Sequence, residues 1–188
     1  MSKRDASLPA DLPRVLEAEL RQCRHYSVED AKFALYSLVE VPQAELQDIC
    51  AKIKGTFIQN VLQMEEWEVE DFIFLAPGWN ELVQKNLGQL LEYHIQDLDK
   101  GWRNSLGSNQ GKIQWFPFGF VVVTNRNWET DGLVVVYCDF NTQSQMFTVD
   151  SCRMEVKDLG VSLTSLRSGD DYFENLKNEF DIEGRLGG

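Results

Sequence analysis

After Gly111 the apolar residues change their period, and that change restricts the fold more than any other feature of the chain. Phe120-Val121-Val122-Val123-Thr124 is a short run of strand-forming residues. Residues 125–132 are turn-rich and end in Asp131-Gly132, and a second run, 133–140, follows at once. Residues 141–145 supply the next turn before Met146-Phe147-Thr148-Val149. Links this short join antiparallel neighbours, because a parallel pair needs a long crossover. Val121 to Val123 and Val134 to Val136 are apolar at every position. Both faces of these strands are therefore expected to be covered, by helices on one side and by a sheet edge or loop on the other. Pro117 keeps the segment before them out of a central ladder position.

The earlier part of the chain reads as helix. Val15, Leu16, Leu20 and Cys23 form one stripe behind Asp11 and Pro13. Ser27-Val28-Glu29-Asp30 has the shape of a capping box and predicts a second helix carrying Ala31, Leu35 and Leu38, interrupted at Val41-Pro42. A third is predicted through Leu46, Ile49, Cys50, Ile53, Phe57, Val61 and Leu62, with Gly55 as its weak point. After Ala76-Pro77-Gly78 the apolar spacing predicts one long amphipathic helix over 79–98. A short helix with Tyr172, Phe173, Leu176 and Phe180 closes the chain. This order predicts an α+β fold: a mainly antiparallel sheet packed with helices, preceded by a helical N-terminal region. The helical region covers 1–64, the α+β domain covers 65–188, and the two make one continuous unit.

Charge narrows the partners. Eighteen Lys and Arg face thirty Asp and Glu, for a net charge of -12. Such a surface repels phosphate backbones and anionic lipid, and no basic patch offsets it, so neither nucleic acid nor membrane is expected as a partner. No apolar run is long enough to span a bilayer, and the polar segment 1–10 is unlike a cleavable leader. A cytoplasmic location is therefore the expectation.

Little in the chain points to chemistry. Cys23, Cys50, Cys138 and Cys152 are too far apart for a zinc knuckle or a redox motif. His25 and His94 fit no metal-binding spacing. No Ser, Thr or Cys sits in a nucleophile-elbow pattern. Residues 106–112 end in Gly111-Lys112 but lack the glycine spacing and the following Ser or Thr of a phosphate loop. No catalytic residue, cofactor or metal is expected.

Glu65, Glu66, Glu68, Glu70 and Asp71 gather around Trp67. Carboxylates set across a cleft can bind a divalent cation or hydrolyse a glycoside. This cluster lacks the spacing of a calcium loop and reads as a solvated face or a partner-facing ridge. Trp128 stands among Asn125, Arg126, Asn127, Glu129, Thr130 and Asp131, the polar-rimmed setting of an aromatic anchor; alternatively it folds back over the sheet. Trp102, beside Arg103, has the same two readings. The expected partner-binding set is Trp128 as leading anchor and Trp102 as reserve, with the acids Glu129, Asp131, Glu68 and Glu70.

Several features recur together: a helix before the sheet, Trp115-Phe116-Pro117-Phe118-Gly119, a strand at 131–140 after a polar turn, another at 145–150, and an aromatic helix at 172–180. Over 79–181 the chain thereby resembles the SUKH superfamily, which joins fungal cell-wall-synthesis regulators with bacterial toxin-immunity proteins. Ala76-Pro77-Gly78-Trp79 departs from that family's early Leu-Pro and Asn-Gly signature, and the helical region before it has no counterpart there. The resemblance implies a noncatalytic adaptor or neutralising partner, and no binding residue is carried over from it. The expected function is a noncatalytic protein-interaction module, regulatory or inhibitory, with a basic partner protein. A structural subunit of a cytoplasmic assembly and a hydrolase with an acidic site are the alternatives.

Overall fold

The structure, a computed structural model, describes residues 6–9, 11–59, 69–98 and 113–185. Trp102 and Glu68 of the expected binding set lie outside these residues, as do Glu65, Glu66 and Trp67. The strands described are β1 (Phe33–Ser37), β2 (Ile73–Leu75), β3 (Gly119–Val123), β4 (Leu133–Asn141) and β5 (Met146–Met154). They form one sheet in the order β2-β1-β3-β4-β5. The half made by β3, β4 and β5 is the antiparallel meander that the short turns predict. Phe120 lies opposite Val136, and the β4–β5 ladder runs from Leu133 opposite Met154 to Asn141 opposite Met146. The fold is α+β and its sheet is mixed, mainly antiparallel.

β1 corrects the reading of the N-terminal part. The sequence predicts a helix through Ala31, Leu35 and Leu38, yet β1 runs there, parallel to β2 (Phe33 opposite Ile73) and to β3 (Leu35 opposite Val121). All five of its residues are buried. A strand covered on both faces is apolar at every position, so it contains helix-like spacings without being a helix. The chain before residue 65 is therefore no purely helical preface, because it contributes a strand flanked on both sides in the sheet.

The helices are α1 (Arg14–Cys23), α2 (Gln43–Phe57), α3 (Leu87–Gln96), the single turn α4 (Trp128–Asp131), α5 (Val156–Ser168), α6 (Phe173–Phe180) and α7 (Ile182–Arg185). Side chains of α2, α5 and α6 cover one face of the sheet, over Leu35, Val121, Val123 and Val135. Side chains of α1 and α3 cover the other, over Ala34, Tyr36, Phe120, Val122 and Val136. Helices thus lie on both faces, not on one as expected.

Two helical segments differ from expectation. The single helix over 79–98 is broken: a 3-10 turn at Trp79–Leu82 ends near Gln84, whose φ is 70°, and α3 starts behind Asn86. The Gln89 N–H donates to the Asn86 side chain at 2.9 Å, and the Asn86 N–H donates to the Gln89 side chain at 3.2 Å. This reciprocal cap starts a helix more firmly than continuation through Gln84 would. α5 occupies residues that carry no helix in the sequence reading. Its Gly160 allows close contact with α2, since a Cβ there would press into the Phe57 side chain and lie 3.1 Å from the Ile53 carbonyl oxygen. Gly55 leaves α2 unbroken. Among the described residues no helix is long and apolar enough to cross a membrane.

Candidate functional site

β2, β1 and β3 are parallel, so the chain leaves all three at the same end of the sheet. After β1 it passes to α2 on one face; after β2 it passes through the 3-10 turn to α3 on the other. Where such connections diverge to opposite faces, a crevice opens outside the carboxyl ends of the strands. An open groove of about 700 Å³ lies there. Segments that follow each of the three strands line it: Glu40, Val41, Pro42 and Glu45 after β1, Trp79 and Val83 after β2, and Arg126 after β3. Backbone hydrogen bonds hold these segments together. The Leu38 N–H donates to the Val123 carbonyl at 3.0 Å, and the Gln84 N–H donates to the Leu38 carbonyl at 2.9 Å.

The groove combines half-buried apolar walls with exposed charge. Trp79 is half-buried and packs against the α2-side core. Glu40 and Arg126 approach to 3.9 Å, and both side chains are more than two-thirds exposed (75% and 72%), so their pairing is weak and either can turn to a ligand. Glu45 is held more firmly. The Trp128 indole N–H donates to its carboxylate at 2.8 Å. Behind it the Lys52 ammonium lies 4.8 Å above the Trp128 ring and donates to Glu129 at 2.8 Å. That hydrogen bond, with the charges of Glu129, Asp48 and Glu45, pushes the Lys52 pKa up.

Trp128, the expected leading anchor, is not presented to solvent. It is 4% exposed and belongs to the core between the sheet and α2. The loop after β3 winds into the turn α4, and one side of a helical turn faces inward however polar its neighbours in sequence are. Only the carboxylate that Trp128 holds reaches the groove. Glu129 and Asp131 are exposed on the same turn, Glu129 on Lys52 and Asp131 accepting from the Thr130 hydroxyl at 3.2 Å. Glu70 is exposed elsewhere and acts electrostatically on Arg167. The structure therefore does not gather the described members of the expected set into one surface.

The chain matches no protein-family model, no curated protein and no solved structure. The groove residues Glu40, Glu45, Trp79 and Arg126 are not among those expected from the sequence. Their one common signal is position just after a parallel strand, and that signal disappears once β1 is read as helix. Among the described residues no three His, Cys, Asp or Glu come together as a cation site. His94, 2% exposed, is held between the Phe116 carbonyl, which accepts from Nε2 at 2.9 Å, and the Tyr36 hydroxyl, 2.9 Å from Nδ1.

Proposed function

We propose that the chain is a noncatalytic protein-interaction module, regulatory or inhibitory, that receives a basic segment of a partner protein in this groove. The observation that carries the reading is the groove's place outside the carboxyl ends of β2, β1 and β3, with Glu40 and Glu45 beside Trp79, Val41 and Pro42. Such a lining suits a Lys or Arg side chain, whose stem lies along the apolar wall while its head meets the carboxylates. The net charge of -12 adds long-range steering, which raises the association rate and fades as salt screens it. The adaptor or immunity-like role implied by the SUKH resemblance is the same reading in family terms. Four free thiols favour a reducing compartment, and the cytoplasm is the proposed setting.

The test starts from a partner isolated by pull-down from native lysate. Its affinity is then measured by calorimetry across a salt series for the natural chain, Trp79→Ala and the Glu40→Gln/Glu45→Gln double variant. Trp79→Ala should weaken binding by about 2 kcal/mol or more, with a circular-dichroism melt confirming that the fold survives. The double variant should bind more weakly and show a shallower salt dependence. Affinity that changes neither with salt nor in these variants would remove the groove from the interface.

A further inference from the structure

A second concavity, of about 280 Å³, lies at the opposite end of β3. Aromatic rings make up much of its lining: Tyr26, Phe118 just before β3, Tyr137 and Phe140 on β4, and Phe147 on β5, with Val28 and Cys138 between them. The Phe118 and Phe147 rings stack with centroids 6.0 Å apart and planes at 12°, and Phe140 meets Phe147 edge-on at 5.1 Å. The chain's own cations are already drawn to this wall. The Arg24 guanidinium lies 3.5 Å from the Phe140 centroid, and that of Arg21 lies 5.7 Å from it. Asp139 adds one exposed carboxylate to the lining.

We infer that this aromatic pocket binds a quaternary ammonium group, with Arg24 resting on the ring that the ligand would take. The negative faces of aromatic rings attract a cation most when it is desolvated. A primary ammonium is strongly hydrated, and seating it against these rings costs more of its hydration than a quaternary one loses. A quaternary ammonium has no N–H and a thin hydration shell, so the rings and a single carboxylate suffice. The inference is independent of the groove, with which the pocket shares no residue.

Two sources carry this group, a trimethylated lysine in a polypeptide and a small choline-type molecule. The full chain is titrated, at constant chloride, with choline, with a short trimethyllysine peptide, with the same peptide unmodified, and with 3,3-dimethylbutanol, the uncharged carbon analogue of choline. Amide NMR shifts at Tyr137, Phe140 and Phe147 are the readout. Saturable shifts with choline alone assign the small-molecule source, and tighter binding of the trimethyllysine peptide assigns the polypeptide source. In either case the uncharged analogue and the unmodified peptide should bind at least about threefold more weakly. Arg24→Ala should strengthen binding about two- to fivefold by freeing the ring. Phe140→Leu keeps apolar bulk without the π face and should abolish binding. No saturable shift with either cation, equal binding of the uncharged analogue, or unchanged binding in Phe140→Leu would overturn the inference. Should Phe140→Leu fail to fold, the exposed Arg24 decides: Arg24→Ala without a gain in affinity counts against it.

Discussion

Trp128 makes two kinds of contact with different energetic weight. Its ring fills core space between the sheet and α2, and its indole N–H holds Glu45 at the groove. Trp128→Ala should therefore destabilise the fold by about 3–5 kcal/mol. Trp128→Phe keeps most of the burial and should cost about 1 kcal/mol, the value of the lost hydrogen bond, while releasing Glu45. Denaturant melts separate the two, and an unchanged midpoint in Trp128→Ala would contradict the core placement. His94 is a second buried polar side chain that bonds to two neighbours. His94→Leu removes the hydrogen bonds to the Phe116 carbonyl and the Tyr36 hydroxyl and should cost about 1–3 kcal/mol. A thermal melt equal to that of the natural chain would show that neither contact matters. Both environments lie beyond local sequence. The polar neighbours of Trp128 describe the outer side of its turn, and the partners of His94 are 22 and 58 residues away.

At the scale of elements, close packing of α2 on α5 depends on Gly160. Gly to Ala inside a helix ordinarily gains about 1 kcal/mol. Here the added methyl would meet Phe57 and the Ile53 carbonyl, so Gly160→Ala should instead cost about 1–3 kcal/mol. A stabilised variant in urea unfolding would show that the two helices do not touch there. The cap of α3 was open to sequence reasoning, since Asn86 and Gln89 stand at capping-box spacing inside an apolar pattern that runs on without interruption. β1 offered no comparable signal. Its apolar residues satisfy strand and helix templates alike, and only pairing with β2 and β3 selects the strand.

For the molecule as a whole, buried thiols make stability sensitive to alkali. Burial pushes the Cys50 and Cys138 thiols up to about 12, and it raises Cys152 and Tyr137 as well. Above the ordinary thiol value of 9.0 the unfolded chain loses protons that the folded chain keeps. Their contribution is therefore complete below about pH 9 and is lost as pH rises toward 12. The melting temperature should fall steadily above about pH 9, and less steeply in Cys138→Ala; a flat profile to pH 11 would rule this out. The sequence by itself determined the antiparallel meander, the existence of α1 and α2 and the acidic surface; the predicted continuation of α2 through Val61 and Leu62 lies outside the described residues. Turn residues, apolar period and formal charge are local quantities, and they persist whatever packs around them. Tertiary structure alone decided that β1 is a strand, that α5 and α3 cover opposite faces, and that a groove opens after β1, β2 and β3. Parallel pairing joins segments distant in the chain, and an apolar run records that its faces are covered without recording by what.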